Sequence, residues 1–413
     1  MENYLITTLG GTVESITKSF EGLKYKNIII ITTEEQKPLI EKIKSIIDEK
    51  EINLINKIIK DPDDPTYTFT VVDEEIKKIL KNNIQVENIF INYTGGTKSM
   101  AAGIVLAAVL NCIKNYIYVG GKRDEFGRVI TGFETIMNFK LAGIMIERYK
   151  ILIKVLFNNY DFLAVQTIIR ELETKHNIKK EVDAYINFVF DLSDIYIEWD
   201  KMQYEIANEK ISKIKIQENL KKELPADFEQ KLNNNKKALG IINKSKFFQI
   251  LDKFASAQRN YEKGYYYLAA EMLYSLTEFI ADYILEKDFN INKSDVDSKR
   301  AIELAKGKID ENYFSTLRSK VNNKIQMPLY HSFDLLNIFG NEIGKYFIEN
   351  KEIQRVIKLR NDSVHNNKPI TEKQLNEFLL EIKKLLNLFC KKYSEDKEKE
   401  LENLIKVYEF VKI

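Results

Sequence analysis

The chain has 413 residues, of which 30% are charged and 44% hydrophobic, with a formal net charge of +2. This length allows two or three domains. The near balance of charge excludes a global field that draws the protein to nucleic acid or membranes, so any basic site must be local. Two cysteines and three histidines exclude a disulfide framework, a zinc cluster and a histidine-rich metal centre, and they indicate a reducing compartment.

Residues 1–140 alternate between strand and helix patterns. The predicted strands are Tyr4–Thr8, Asn27–Thr32, Leu54–Lys60, Asn88–Asn92 and Tyr116–Val119, and the predicted helices include Glu34–Lys50, Val72–Asn82 and Lys98–Lys114. The β-branched run Asn27–Thr32 is typical of a strand buried on both faces. This alternation predicts a mostly parallel α/β sheet with helices on both faces, whose ligands bind beyond the carboxyl ends of the strands.

Three glycine segments fall at such strand ends. They are Gly10-Gly11-Thr12, Thr94-Gly95-Gly96-Thr97-Lys98, and Gly120-Gly121-Lys122-Arg123, which begins a predicted hairpin through Gly127. In the second segment, glycines allow a sharp turn, the amides that open the next helix favour an anion, and Lys98 adds positive charge. The alternative is an ordinary strand–helix turn. A P-loop is excluded because Thr97 stands where its glycine is required.

From Leu141 to about residue 245 the strand pattern is replaced by helical periodicity. The predicted helices are Gly143–Phe157, Phe162–Thr174, Glu181–Trp199 and Met202–Ile216, and Asn233–Lys237 reads as a loop between helices. Aromatic residues around Trp199 form a stripe that is typical of core packing. We interpret this region as a helical connector without chemistry of its own.

Residues 246–413 are also predicted to be helical. The stretch Lys246–Glu286 is predicted to break near Lys263-Gly264, and Thr371 with Gln374 forms a capping box. The other predicted helices are Asp297–Lys306, Asp310–Lys320, Ser332–Leu336, Lys351–Leu359 and Thr371–Lys392.

Arg360 and His365 are the candidates for chemistry in this last region. Residues five positions apart lie about 140° apart on a helix, so these two converge only if the helix ends between them. We expect that end at Asn361-Asp362-Ser363, upstream of Pro369. A histidine that moves a proton and an arginine that holds a phosphate suffice for metal-free RNA cleavage by the ribose 2′-hydroxyl. The alternative is a surface pair in a polar loop.

Two motifs carry a resemblance to a known family. Asn92–Met100, with the glycine segments at Gly10 and Gly120, resembles the CARF sensor domain of CRISPR-associated proteins. The stretch Leu359–His365 resembles the HEPN ribonuclease signature, and Tyr261–Leu285, with Glu271 and Glu278, resembles the first HEPN helix. In this order, the motifs resemble the CARF–HEPN effectors called Csm6 and Csx1.

The resemblance implies a Rossmann-like CARF domain at residues 1–140, an all-α linker at 141–245 and an all-α HEPN domain at 246–413. It implies a cyclic oligoadenylate activator, with the tetra-adenylate favoured over the hexa-adenylate. The implied ligand-binding residues are Thr8, Gly10, Gly11, Thr12, Asn92, Thr94, Gly95, Gly96, Thr97, Lys98 and Gly121. Turn capping is the alternative for Thr12 and Asn92.

The absence of a signal-peptide pattern at Met1–Tyr4 and an apolar run near Gly103–Leu110 that is too short to span a bilayer predict a cytoplasmic protein with no membrane partner. The resemblance implies a homodimer that cleaves single-stranded RNA without a metal or other cofactor. The dimer would place two Arg360 and two His365 around one groove, and Asn361 would hold the phosphate or orient His365. The basic residues proposed to guide RNA, or alternatively to form a solvated face, are Arg318, Lys320, Lys324, Arg355 and Lys358. Other interpretations are a CARF regulator or a ring nuclease with an idle helical domain. Secondary cleavage of the ligand in the CARF groove stays open.

Overall fold

The computed structural model describes the following residues: 2–20, 24–47, 52–125, 129–140, 142–176, 179, 183–319, 321, 323–396 and 398–413. The chain forms two compact units. The first contains Met1–Leu152 and Ile168–Asp183, and the second contains Ile153–Thr167 and Ala184–Ile413. The predicted borders near residues 140 and 245 stay a prediction.

The first unit contains a six-stranded sheet. Its strands are β1 Tyr4–Thr8, β2 Asn27–Thr32, β3 Asn53–Ile58, β4 Ile89–Asn92, β5 Asn115–Arg123 and β6 Val129–Lys140. The order across the sheet is β3-β2-β1-β4-β5-β6. The pairings from β3 through β5 are parallel, and β6 is antiparallel to β5. The predicted mostly parallel sheet is therefore confirmed.

Strand β2 shows why the sheet carries helices on both faces. Ile28 and Ile30 pack into one core with Ile40 and Ile43, whereas Ile29 and Ile31 pack into the opposite core. Successive side chains of a strand point to opposite faces, so an all-apolar strand needs cover on both. The covering helices are α1 Glu14–Lys18 and α2 Lys37–Ile47 on one face, and α3 Pro65–Lys81 and α4 Lys98–Leu110 on the other.

Helix α3 begins earlier than the sequence pattern predicted. The side chain of Asp64 caps it by accepting a hydrogen bond from the amide of Thr66 at 2.9 Å, and Pro65 occupies its first position. Proline suits that position because its missing N–H would have no partner there. Helix α4 ends at Leu110, before the predicted Lys114.

The third glycine segment differs from its prediction. Gly120–Arg123 lies inside β5 and not beyond its end, because pairing with β6 extends the strand, with an irregular register between Gly121 and Arg123. A side chain at Gly121 would place its Cβ 2.3 Å from the carbonyl oxygen of Phe133, so the two backbones approach closely here. The hairpin is confirmed, although Gly127 lies outside the described residues.

The rest of the chain is helical, as predicted. The helices are α5 Ala142–Asn158, α6 Phe162–His176, α7 Ala184–Asp200, α8 Tyr204–Lys213, α9 Phe228–Ile242, α10 Lys246–Glu262, α11 Tyr266–Phe289, α12 Ser298–Leu304, α13 Glu311–Ser315, α14 Leu329–Ile338, α15 Glu342–Glu349, α16 Lys351–Asn366, α17 Glu372–Tyr393 and α18 Leu401–Ile405. Helices α5 and α6 contribute residues to both units. The break between α10 and α11, where Gly264 has φ of +76°, and the capping box of α17 are confirmed.

The loop predicted at Asn233–Lys237 is wrong, because these residues lie within α9. Asn235 is fully buried, and its amide donates to the carbonyl oxygens of Val407 and Glu409 at 3.0 and 2.8 Å. Its Oδ1 accepts from the hydroxyl of Tyr196 at 2.7 Å. These tertiary bonds outweigh the weak helix propensity of asparagine.

Across the described ranges, no helix combines the length and the apolar character that crossing a membrane requires.

Candidate functional site

The loops after β1 and β4 meet at the centre of the sheet. These strands are neighbours, yet the chain leaves β1 toward β2 and leaves β4 toward β5, so a crevice opens between them. The Thr8 hydroxyl donates to the carbonyl oxygen of Gly95 at 2.6 Å. A Cβ on Gly10 would lie 2.8 Å from the amide nitrogen of Gly96. The structure thus brings together the two glycine loops that the sequence singled out.

Several polar side chains of these loops hold their own backbone. Asn92 Oδ1 accepts from the amide of Thr94 at 3.0 Å, and Thr94 Oγ1 accepts from the amide of Val119 at 2.7 Å. Thr97 caps α4 by accepting from the amide of Met100 at 3.2 Å, and its hydroxyl donates to the carbonyl oxygen of Pro62. Asn92, like Thr8, is fully buried. These contacts fix the loop conformation, and the Asn92 contact is the turn capping given above as its alternative.

The surface of the crevice carries different groups. Gly11, Thr12 and Lys98 are exposed, and Lys98 makes no ion pair with any described residue. Lys98 is also the first residue of α4, whose opening amides form the positive end of the helix dipole. Gly121 is half-buried on β5, next to β4 in the sheet. The arrangement can accept an anion at the start of α4.

The expected helix end between Arg360 and His365 is wrong. Helix α16 continues through Asn366 and is followed by Asn367 in the left-handed conformation. Asn361-Asp362-Ser363 disfavours a helix by only a few tenths of a kcal/mol per residue, and burial of Ser363, Ile353 and Val356 keeps this segment helical. The two candidate residues therefore point about 140° apart around one helix, and a single chain does not bring them together.

Arg360 is held in a fixed orientation. Its Nε and Nη2 donate to the two carboxylate oxygens of Glu271 on α11 at 2.8 and 2.7 Å. Its Nη1 donates to Asn361 Oδ1 at 3.1 Å, and its guanidinium carbon lies 3.9 Å from the ring centroid of Tyr274. Burial lowers the pKa of Arg360, but the hydrogen bonds and charge of Glu271 outweigh this and raise it. Described residues engage three of the five N–H groups of Arg360, and the other two have no partner among them, which leaves them available to a phosphate.

His365 is exposed near the end of α16, and its side chain has no polar partner in the part of the chain that the structure describes. Asn361 accepts a hydrogen bond from Arg360, and no hydrogen bond joins it to His365 among the described residues. The imidazole is therefore open to contact from solvent or a ligand.

The apolar pattern around Glu271 singles out this carboxylate. No sequence pattern indicates its pairing with Arg360 or the contact between Arg360 and Tyr274. A carboxylate on an apolar helix was the available signal, because a buried charge needs a counter-charge. The proposed RNA-guiding residues are mostly engaged: Arg355 pairs with Glu352 and Glu377, Arg318 with Glu311, and Lys324 with Asp295. Lys320 lies outside the described residues, and Lys358 has no ion pair among those described.

No group of three or more His, Cys, Asp or Glu side chains suited to a metal ion occurs among the described residues.

Comparison with known proteins gives two family matches and several structural ones. The Csm6 6H domain matches residues 147–242, and the Csm6 HEPN domain matches residues 238–389. A search of curated proteins found no match. Among solved structures, Enterococcus italicus Csm6 bound to cyclic hexa-2'-fluoro-hexa-dAMP aligns over 100% of both chains, with a TM-score of 0.60 and 14% identity, which shows a shared fold.

Two further structures align over part of the chain, with TM-scores too low to support an argument. Can2 from Sulfobacillus thermosulfidooxidans in complex with cyclic tetra-adenylate covers 29% of this chain and 32% of its own, with 19% identity and a TM-score of 0.26. A type III CRISPR defence DNA nuclease activated by cyclic oligoadenylate covers 47% and 34%, with 10% identity and a TM-score of 0.27. Together with the sheet and the helical region, the two Csm6 domain matches and the full-length fold match identify this chain as a member of the Csm6 family of CARF–HEPN proteins.

Proposed function

We propose that this protein is an ancillary effector of type III CRISPR systems, a homodimeric endoribonuclease that cleaves single-stranded RNA when a cyclic oligoadenylate binds its sensor domain. In this proposal residues 1–140 form the CARF sensor, 141–245 the linker and 246–413 the HEPN nuclease. The observation that carries it is the orientation of Arg360 by Glu271, which leaves two N–H groups of Arg360 without a partner among the described residues. His365, which has no polar partner in the same ranges, lies on the same helix.

The divergence of Arg360 and His365 supports a site shared by two protomers. Five residues of helix separate them by about 7.5 Å along the axis as well as 140° around it. One histidine is also a poor choice for both removing and delivering a proton in one step. A two-fold dimer that brings two α16 helices together supplies two arginines and two histidines around one groove.

Helix α4 gives separate support for a dimer through the sensor domain. After Lys98 and Ser99 it contains only apolar residues, and Leu106 and Leu110 are 57% and 44% exposed. A helix that is apolar on all sides is normally covered on all sides. We infer that a second copy covers this face, which places two α4 helix starts, and two Lys98 residues, beside one ligand.

In the cleavage step, the ribose 2′-oxygen attacks the adjacent phosphorus and its proton passes to a base, for which we propose one His365. The bond from phosphorus to the 5′-oxygen breaks, and that oxygen takes a proton from the second His365. The products are a 2′,3′-cyclic phosphate and a 5′-hydroxyl. The free N–H groups of Arg360 stabilise the negative charge that develops on the phosphate oxygens. No step in this scheme calls for a metal.

The ligand proposed for the sensor is a ring of adenylates whose phosphates contact Lys98 and the opening amides of α4. The Thr94–Lys98 segment predicts the tetra-adenylate. The hexa-adenylate is the second candidate, because the E. italicus structure with the same fold holds a six-membered analogue. The ring activates cleavage by binding the active arrangement more tightly than the resting one.

The test is the double substitution Arg360→Ala and His365→Ala. We expect RNA cleavage to be lost while binding of the cyclic oligoadenylate, measured by calorimetry, is unchanged. Lys351→Ala, an exposed residue at the start of the same helix, is the matched control and should cleave normally. Cleavage that survives the double substitution would instead favour an idle helical domain in a regulator or ring nuclease.

A further inference from the structure

A cavity of about 280 Å³ lies in the helical region beside Arg360. Its lining includes Tyr274 of α11, Tyr330 of α14 and Phe347 of α15. One side is formed by α16, which contributes Gln354, Lys358 and Asn361. We call this cavity the base pocket.

The base pocket adjoins the proposed phosphate-binding group directly. The guanidinium of Arg360 stacks on the ring of Tyr274 at 3.9 Å, and its Nη1 donates to Asn361 Oδ1 at 3.1 Å. Two lining residues are thus in contact with Arg360 itself. A nucleotide whose phosphate meets the free N–H groups of Arg360 has its base, or that of its neighbour, within reach of the pocket.

The lining combines aromatic surface with uncommitted polar groups. Tyr330 is 51% exposed, and its hydroxyl has no hydrogen-bond partner within the described ranges. Gln354 donates from Nε2 to the carbonyl oxygen of Ile348 at 2.6 Å, which fixes the amide, while its Oε1 accepts from no described residue. Asn361 uses only its Oδ1, so its amide N–H groups are free by the same measure. The pocket therefore offers one acceptor and at least one donor in fixed positions.

These groups match what single-stranded RNA presents. Unstacked bases are bound by stacking on aromatic side chains and by hydrogen bonds to their edges. The exposed ammonium of Lys358, which pairs with no described carboxylate, suits the backbone phosphate that accompanies such a base. A purely apolar ligand would leave these polar groups unpaired.

We propose that the base pocket binds one nucleobase of the substrate RNA next to the scissile phosphate, with Tyr330 as the stacking residue and Gln354 and Asn361 reading its edge. The proposal rests on the nuclease function above and adds to it a base preference at one position beside the cut.

The first test uses binding without cleavage. The probe is a 2′-O-methyl RNA oligonucleotide, which has no free 2′-hydroxyl to attack, and its partner is a strand with the same backbone but no bases. With the full-length protein and saturating cyclic oligoadenylate, Tyr330→Ala should weaken binding of the base-bearing strand by about 5-fold or more. It should leave binding of the base-free strand unchanged, and Tyr330→Phe should bind both like the wild type.

Ile206→Ala is the matched control, since it also removes a large side chain that is 43% exposed, on α8. It should change neither affinity. If Tyr330→Ala weakens both strands equally, or neither, the base pocket assignment is wrong. An equal loss of affinity for both strands would show that Tyr330 contacts the phosphate backbone. If the wild-type protein binds neither strand, this surface binds a protein partner and not RNA.

The second test sequences the products of a randomised RNA. The wild type should enrich one base at a fixed distance from the cut, and Gln354→Ala should flatten that enrichment while cleavage continues. Cleavage without any base preference overturns the base pocket and leaves the nuclease intact. Conversely, the wild-type protein could fail to cleave RNA while Tyr330→Ala still weakens binding of the base-bearing strand alone. That result would contradict the proposed nuclease function and support the base pocket.

Discussion

Glu271 is the residue that decides how Arg360 meets a phosphate. Its two carboxylate oxygens take the Nε and Nη2 groups of Arg360, so the guanidinium cannot rotate to present a different edge. Bidentate pairs of this kind fix orientation as well as charge. Because Glu271 acts through Arg360 and not on the substrate, we assign it a positioning role.

Glu271→Gln should therefore lower kcat by up to about 100-fold with little change in KM, since misplacing a catalytic group by about 1 Å has an effect of that size. Steady-state cleavage of a labelled RNA gives both constants. Glu286→Gln, on the same helix and paired with Lys246 at 2.6 Å, is the control and should leave kcat unchanged. A rise in KM at constant kcat would show that Glu271 acts in RNA binding.

Lys253 on α10 is a buried lysine with a destabilising charge. It is 6% exposed, and its ammonium lies 4.4 Å from the ring centroid of Phe279. Burial lowers its pKa, and the charges of Asp252 and Glu278 counter only part of this. The pKa of Lys253 is therefore lower in the folded state than in the unfolded state. The stability linked to this group is fully present at pH values above the unfolded-state pKa, and it is lost as pH falls through the folded-state pKa.

Lys253→Met should thus stabilise the protein at pH 7, by about 1 kcal/mol. The reason is that burying the ammonium costs more free energy than its contact with the aromatic ring of Phe279 supplies. The gain should shrink as pH rises toward 10, where the wild-type lysine is partly neutral. Urea unfolding followed by the fluorescence of Trp199, the single tryptophan, measures it. Lys246→Met on the same helix is the control, and an equal gain at both pH values would argue against a charge effect.

At the scale of secondary structure, Asp252 joins three helices. Trp199 of α7 donates from Nε1 to its Oδ1 at 2.8 Å, and the hydroxyl of Tyr204 at the start of α8 donates to its Oδ2 at 2.9 Å. Asp252 itself lies on α10 and is almost completely buried. Burial raises its pKa, against the opposing effects of Arg259 and these two donors.

Asp252→Ala should destabilise the helical region by about 2–4 kcal/mol, because two buried donors lose their acceptor. Asp252→Asn should cost much less, since its amide oxygen still accepts and no charge is buried. Circular dichroism at 222 nm during urea unfolding compares the two variants. Equal losses for alanine and asparagine would show that the charge of Asp252, and not its hydrogen bonds, stabilises the packing.

Much of the secondary structure could be predicted because local pattern and tertiary environment agree. The β-branched run at β2 predicts a strand buried on both faces, and Thr371 with Gln374 predicts the start of α17; both are confirmed. The sequence failed where polar residues typical of turns are held in helices by distant contacts. The clear cases are Asn235 in α9, which is buried and hydrogen-bonded to distant residues, and Ser363 in α16, which is buried.

The candidate sites likewise differ in whether local sequence patterns or distant contacts determine them. The two glycine loops after β1 and β4 could each be predicted from the preceding strand, and the parallel pairing of β1 and β4 brings them together. The orientation of Arg360 depends on Glu271, 89 residues earlier in the chain, and no local pattern encodes that pair. The assignment of roles to the ligand loops and to Arg360, Asn361 and His365 stays a prediction.

At the scale of the whole molecule, the proposed function links a sensor at one end of the chain to a nuclease at the other, each completed by a second copy. The ring must bind the active arrangement more tightly, so its affinity and the cleavage rate are coupled. Substitutions in the glycine loops should therefore raise the ring concentration needed for activation without abolishing cleavage at saturation.

Lys98→Ala tests that coupling. Removing one positive charge from each protomer should shift the ring concentration for half-maximal RNA cleavage upward by about 10-fold or more, with the maximal rate retained. Lys114→Ala, just beyond the other end of α4 and paired with Glu87, is the control. An unchanged activation curve for Lys98→Ala would show that the ligand does not bind at the start of α4.

The most direct measurement is cleavage of a labelled single-stranded RNA by the purified protein in EDTA, with no ring, with cyclic tetra-adenylate or with cyclic hexa-adenylate. We expect cleavage only when a ring is present, and with one ring far more than with the other, to products ending in a 2′,3′-cyclic phosphate. No cleavage with either ring, or equal cleavage without one, would mean that the helical domain is not a ring-activated, metal-independent ribonuclease.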